Sequence, residues 1–183
     1  MPEYRRADAK GATYFFTVNT YRRQKVLIDD DVRNALRQGI EKARIRFPFE
    51  ILAWVLLPDH LHCLWRLPEG DADYAKRWGI IKRHVSQSCD QRFNHEEELS
   101  DSRLKRKESG LWQRRYWEHQ IRDETDLARH VDYVHWNPLK HGLVDKIADW
   151  PYSTFHRYVE QGVYPKNWCG DRVTELKDTE FGE

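Results

Sequence analysis

Apolar and polar positions along this chain follow two rhythms, one of about 3.6 residues and one of two, and the chain switches between them several times. Residues 13–18 (Thr-Tyr-Phe-Phe-Thr-Val) are β-branched and aromatic, which predicts a first strand. Residues 29–47 carry acids in the first turn and Val32, Leu36, Ile40 and Ala43 at helical spacing, and Pro48 stops the helix. Residues 49–57 are almost continuously apolar, as expected of a central strand, and Pro58-Asp59 is a turn dipeptide. Beyond it Leu61, Cys63, Trp65 and Leu67 fall on one parity, and His60, His62, Leu64 and Arg66 on the other. That period of two predicts a strand returning antiparallel to the one before, with the odd residues in a core and both histidines on the opposite face.

A second helix is predicted over 71–92, with Tyr74, Trp78, Ile81 and Val85 on one stripe. Residues 94–110 mix charges without periodicity and predict a mobile loop. A short strand near 116–121 and a helix over 124–137 follow. Leu127, Val131 and Val134 form the apolar stripe of this helix, and Pro138 is expected to end or kink it. The chain beyond Gly142 is rich in Trp, Tyr and Pro and is expected to wrap the surface. The order β-α-β-β-α-β plus a helix is an α+β plan of ferredoxin-like or RRM-like type: an antiparallel sheet with helices on one face and the other face open to ligand. The 183 residues predict a single domain over 1–183, with a flexible loop at about 94–110 and a C-terminal tail at about 145–183.

Composition narrows the class. A third of the residues are charged (33%) and no run approaches the ~18 apolar residues of a membrane span, so no membrane partner is expected. The opening Met1-Pro2-Glu3-Tyr4-Arg5-Arg6 lacks the apolar stretch of a secretory signal. Cys63, Cys89 and Cys169 are odd in number and far apart, which points to reduced thiols in a cytoplasm and away from a zinc knuckle. Net charge is only +1. Basic residues nonetheless cluster at Arg22-Arg23, Lys82-Arg83, Arg103 to Lys107 and Arg114-Arg115. Basic residues among aromatics suit single-stranded nucleic acid, and they equally suit solvated helix faces.

The chemistry-bearing residues are few. Cβ atoms of His60 and His62 would sit roughly 6.5–7 Å apart on one strand face, close enough for both rings to bind one metal ion, although two solvated surface histidines have the same spacing. On the last predicted helix Tyr133 and Asn137 are i, i+4 neighbours. An amide oxygen can complete a metal site beside a phenol; a Tyr at the core edge with an Asn capping the helix fits the same pattern. His119 and His130 are candidate helpers or structural histidines, and Tyr116 is a second candidate nucleophile.

Taken together these residues resemble a known superfamily. His60-Leu61-His62 after Leu56-Leu57-Pro58-Asp59 resembles the HUH motif (histidine, hydrophobic, histidine) of single-strand DNA nucleases. The run from Tyr133 through Asn137-Pro138 to Lys140-His141-Gly142 resembles the tyrosine helix of one-tyrosine transposases. Trp112-Gln113, Trp117-Glu118-His119 and Trp150-Pro151-Tyr152-Ser153-Thr154 resemble the REP-associated tyrosine transposases, over roughly residues 4–170. The resemblance implies a metal-dependent single-strand endonuclease and strand transferase working through a 5′-phosphotyrosine. It assigns Tyr133 as nucleophile and His60, His62 and Asn137 as ligands of a divalent ion, Mg²⁺ or Mn²⁺. Asn137 stands where other one-tyrosine transposases have a Gln, one methylene longer. The implied substrates are hairpins of repetitive extragenic palindromes, docked on Arg22, Arg23, Lys82, Arg83, Arg114 and Arg115, with a monomer in the bacterial cytoplasm associated with the nucleoid. Two other readings remain: a non-catalytic RRM-like binding module, and a small metal-dependent hydrolase in which Tyr133 has no role.

Overall fold

Residues Thr13–Asn19 (β1) are apolar on both parities because both faces of the sheet are covered. The computed structural model describes residues 9–93, 101–106, 109–170 and 181–182. After β1 come helix α1 (Asp30–Arg46), strands β2 (Glu50–Leu56) and β3 (His60–Arg66), helix α2 (Tyr74–Ser88) and two short helices, α3 (Asp90–Phe93) and α4 (Asp101–Lys105). Strand β4 (Trp117–Gln120), helix α5 (Glu124–Lys140) and helix α6 (Phe155–Glu160) complete the order. The sheet runs β2-β3-β1-β4 and is antiparallel throughout. The α+β plan predicted from the sequence is therefore present.

The parity of β3 is realised. Leu61, Cys63, Trp65 and Leu67 join Tyr14, Phe16 and Val18 in a core under α1 and α2, with Tyr74, Trp78, Ile81 and Val85 all buried against it. Helices α1 and α2 approach closely at Gly39, where an added Cβ would lie 3.3 Å from the carbonyl oxygen of Ile81. The fully buried Arg77 ties the start of α2 to the end of α1: it donates to Asp71, Phe47 O and Pro48 O.

The expectation of an open second face is corrected. Helix α5 lies across it, and Phe15, Ala53, Val55 and Leu64 meet Val131, Tyr133 and Val134 in a second core. His60 and His62 are thus buried, not solvated. The segment beyond Gly142 is also no surface wrap, since Ile147, Trp150, Phe155 and Tyr164 pack into this core. The physical reason is plain in the chain: an apolar face of α5 and an apolar sheet face must both be removed from water. The tail further pairs with the outer edge of β2, where Leu56 N–H donates to Tyr152 O (2.8 Å) and Thr154 N–H donates to Trp54 O (2.9 Å).

Two further expectations change. Helix α5 does not stop at Asn137 but runs to Lys140 with Pro138 inside its last turn. His141 N–H still donates to Asn137 O (3.0 Å), and Leu143 N–H to Pro138 O (2.9 Å), closing the helix end. The stretch expected to be a mobile loop contains α4, whose Arg103 is buried; it donates to Ser109 O (2.7 Å) and Trp112 O (3.1 Å) and stacks on Tyr21. The rest of that expected loop, 94–100 and 107–108, lies outside the described residues, as do 171–180 of the tail.

Candidate active site

Adjacent strands place His62 in one row with Thr17 and Val55, its partners on either side, and His60 two residues earlier on the same face opposite Asn19. The imidazole centroids of His60 and His62 are 4.9 Å apart. Each ring is held through Nδ1. His60 Nδ1 lies 2.6 Å from Asp59 Oδ1. Burial works against the charge of Asp59, but the hydrogen bond from His60, with Arg23 beyond, keeps its carboxyl below the usual range. An ionised carboxylate only accepts, so His60 Nδ1 carries the proton. Thr17 Oγ1 is 2.8 Å from His62 Nδ1 and gives its own proton to Phe181 O (2.5 Å). Toward His62 the hydroxyl therefore accepts, and His62 Nδ1 is protonated as well. Both rings are left with their acceptor lone pair at Nε2. Metal-binding imidazoles are oriented in this way, by a partner on the far nitrogen.

Helix α5 supplies the rest, starting from an Asp123 cap whose carboxylate accepts from Asp126 N–H (2.8 Å). Tyr133, Asn137 and Lys140 follow at i, i+4 and i+7 on the face turned to the sheet. Tyr133 is fully buried, with its ring 5.3 Å from that of His62. Asn137 Nδ2 donates to Tyr133 O (3.0 Å), whereas its Oδ1 is buried with no hydrogen-bond partner among the described residues. An orphaned buried carbonyl oxygen is costly, and on the helix it lies between Tyr133, whose ring faces His62, and His141, whose ring faces His60, so it is a third donor available to a site with the two imidazoles. These residues fit a divalent ion. Lys140 Nζ donates to Tyr133 Oη (2.9 Å), and the ring of His141 sits 5.1 Å from that of His60.

Tyr116, the other candidate nucleophile, is excluded by position. Its ring packs on the opposite sheet face against Phe16 and Trp78.

His119 and His130 are brought together, but with Asp126 and away from the HxH pair. Ligand-type atoms of His119, Asp126 and His130 all lie within 4.8 Å of one another, a group able to hold a metal ion. Asp126 is heavily engaged: its Oδ2 accepts from His119 Nε2 (2.8 Å) and from Arg122 N–H (3.0 Å) and Nε (3.3 Å). Burial opposes its charge, yet those donors bring its carboxyl down to about 2. Burial above all lowers His130 to about 4, so it is a neutral imidazole.

The basic residues singled out from the sequence are only partly gathered. Lys82, Arg83 and Arg114 line one groove of about 490 Å³ together with Gln113 and Trp112. A chain of contacts leads from it toward His60: Lys82 Nζ to Gln113 O, Asn19 Nδ2 to Gln113 Oε1, Arg23 Nη1 to Asn19 Oδ1, and the Arg23–Asp59 ion pair beside His60. Arg22 and Arg23 stand in a tight turn (Tyr21–Arg23), both at φ 55°.

Periodicity gave no sign of Phe181. Its ring stacks on Tyr133 at 3.7 Å and 8°, and it touches Phe15 and His130 edge-on. Residues 150–168 pack elsewhere, against α5 and β2. Gly182 permits the approach, with φ +75° and a position where any Cβ would come 2.3 Å from Trp117 Cγ. A lone Phe-Gly near the end of a polar stretch was the only signal in the sequence.

Comparison with known proteins agrees with this geometry. The sequence profile of the family described as "Transposase IS200 like" matches residues 9–137. The chain is 46% identical to a REP-associated tyrosine transposase of Escherichia coli (strain K12) over 96% of its length and 95% of the relative. It is 44% identical to a Haemophilus influenzae protein assigned to the same group, over 97% of this chain and 98% of that one. A solved structure of a REP-associated tyrosine transposase bound to a REP hairpin superposes with a TM-score of 0.81 at 45% identity, covering 100% of this chain and 98% of the other.

Proposed function

We propose, from the premise that the chain belongs to the IS200-like transposases and within them to the REP-associated tyrosine transposases, that it cuts and rejoins single-stranded DNA at repetitive extragenic palindrome hairpins. The observation that carries this reading is the convergence of two Nδ1-protonated histidines, an unpartnered amide oxygen and a buried phenol in one site. His60 Nε2, His62 Nε2 and Asn137 Oδ1 would hold the divalent ion. When bound, such an ion supplies Lewis-acid charge neutralisation at the scissile phosphate. A mixed nitrogen and oxygen donor set favours Mn²⁺ over Mg²⁺, which prefers oxygen alone.

In this reading Tyr133 Oη attacks the phosphorus, the P–O3′ bond breaks to release the upstream strand, and the downstream strand stays on the protein through its 5′ phosphate as a phosphotyrosine. The phenolic proton leaves to water, and the O3′ oxyanion takes one up. One phosphodiester replaces another, so no nucleotide cofactor is needed and an incoming 3′-OH can reverse the step. The hairpin lies along the groove of Lys82, Arg83 and Arg114, continuing past Arg115 and Arg22-Arg23 to the histidines. The solved relative bound to a REP hairpin supports that substrate class. A monomer fits the capped edge of β2, since residues 152–154 already pair where a second chain would extend the sheet. Among the described residues no helix is long and apolar enough to cross a membrane.

The binding-module alternative needs an open aromatic sheet face, and α5 occupies it. The hydrolase alternative leaves the buried Tyr133 beside the histidines without a role. The test is adduct trapping: a labelled single-stranded hairpin, Mn²⁺, and a denaturing gel run beside Tyr133→Phe. A shifted band that vanishes in the variant while hairpin binding persists is the expected result; an adduct retained by Tyr133→Phe would remove this tyrosine from the mechanism.

A further inference from the structure

We infer that Lys140 is a catalytic residue of the strand-transfer reaction, the group that carries the charge of the Tyr133 oxygen when it attacks and again when it leaves. The inference rests on Tyr133 being the nucleophile. Lys140 lies two helical turns beyond Tyr133, so its side chain reaches back along the same stripe. Nζ stands 2.9 Å from Tyr133 Oη and 5.0 Å from the ring centroid. An ammonium has three donors and no acceptor, so the bond runs one way, from Nζ–H to the phenolic oxygen. Lys140 cannot serve as a base for Tyr133 in this form. It can only stabilise negative charge on Oη.

That polarity matters because Oη is neutral in the resting phenol and ester-like in the phosphotyrosine. It gains charge only in the transition states between them. A hydrogen bond from a cation strengthens as its acceptor becomes an anion, so Lys140 favours the transition state over both ground states, which is the condition for catalysis. The surroundings amplify the effect, since the phenol ring packs against Phe15 and His62, apart from any cover by Phe181, which limits the water that can screen the pair. The same ammonium serves both directions. In cleavage the Oη–P bond forms and P–O3′ breaks; in rejoining O3′ attacks, Oη–P breaks, and the tyrosine oxygen leaves as an anion beside Lys140.

The prediction is specific. Losing one preorganised donor to a developing oxyanion costs about 10²–10³-fold. Lys140→Met should lower the single-turnover rates of adduct formation and of adduct reversal by a common factor of about 100. The cleaved-to-rejoined ratio and the dissociation constant for the hairpin should stay unchanged. Lys140→Arg keeps a donor-only cation and should recover most of both rates. Thermal melting and circular dichroism of each variant establish that the fold survives. Rates of Lys140→Met within about threefold of the parent would overturn the inference, and so would equal loss in the Met and Arg variants. A fall in hairpin affinity that accounts for the whole loss would also overturn it, by making Lys140 a DNA contact. Tyr133→Phe run alongside separates the two readings: if that variant still forms adduct, the nucleophile is wrong, whereas parent-like Lys140→Met with a dead Tyr133→Phe refutes Lys140 alone.

Discussion

Phe181 covers the face of Tyr133, the proposed nucleophile, so its removal should make the protein faster. The ring is 1% exposed and stacks flat on Tyr133 at 3.7 Å. Burying a phenylalanine contributes about 1.5–3 kcal/mol, and a stacked aromatic pair adds about 0.5–1.5 kcal/mol. Truncation to Ala therefore removes about 2–4 kcal/mol of closing free energy. The ordering cost of Phe181 and Gly182, about 1–2 kcal/mol per fixed residue, is common to parent and variant and cancels in the comparison. Since 1.4 kcal/mol is about a factor of ten, Phe181→Ala should raise the open fraction by at least about 30-fold, up to the point where the site is fully open. The assay is adduct formation with single-stranded hairpin below saturation, where rate follows the open fraction. Gly182→Ala gives an independent probe, because it leaves the ring intact but strains φ +75° and drives a Cβ into Trp117. It should act in the same direction. An unchanged or lower rate in both variants would refute the reasoning and make Phe181 a structural plug that DNA never has to displace.

Three further outcomes follow from individual contacts. His135 is fully buried among Phe155, Tyr158 and Tyr164, and burial lowers its pKa to about 3. The unfolded chain then binds a proton below about 6.5 that the folded one refuses, so stability is full above that pH and is lost as pH falls toward 3. Between pH 7 and 5 this costs about 2 kcal/mol, and His135→Gln should flatten the acid limb of a denaturant-melting series by that amount. Replacing Arg114 and Arg115 together by Ala should reduce the log–log salt slope of hairpin binding by about 2; an unchanged slope removes both from the interface. Mn²⁺ titration by calorimetry should show a site lost in His62→Ala and retained in His119→Ala, with the reverse pattern moving the ion to the His119–Asp126–His130 group.

How legible each feature was in the sequence depends on how local its cause is. The period of two across His60 to Leu67 and the helical stripe of Tyr74, Trp78, Ile81 and Val85 depend on neighbours a few residues away, and both elements form as read. The pairing of Tyr133 with Asn137 is equally local and survives into the site. What the spacing could not convey is which sheet face α5 would choose. Leu127, Val131 and Val134 announce an apolar face but not its partner. The burial of His60 and His62 followed from that choice, as did the orphaned Asn137 Oδ1. The Pro138 stop failed for a different reason. A proline rule describes backbone preference alone, while the helix end here is fixed by the buried Pro138 ring and the closing bonds from His141 and Leu143.

Two of the least legible contacts span large sequence separations and bear on the same site. Thr17 meets Phe181 across 164 residues, and Trp54 meets Thr154 across 100. Both touch groups that orient α5 or the histidines: Thr17 holds His62, and Thr154 Oγ1 bonds to His135 Nε2 (2.9 Å). One hydroxyl thus links the tail to a metal-type ligand, and another links the β2 edge to the helix of the nucleophile. When the tail lifts, Thr17 Oγ1 loses the carbonyl that takes its proton, but His62 Nδ1–H still needs an acceptor and the hydroxyl can still provide it. The histidine tautomer therefore persists through opening, while the stacked cover on Tyr133 is lost. Exposure of the nucleophile and orientation of the ligands are separable in this fold, which is why substitutions at Phe181 should change rate without changing metal affinity.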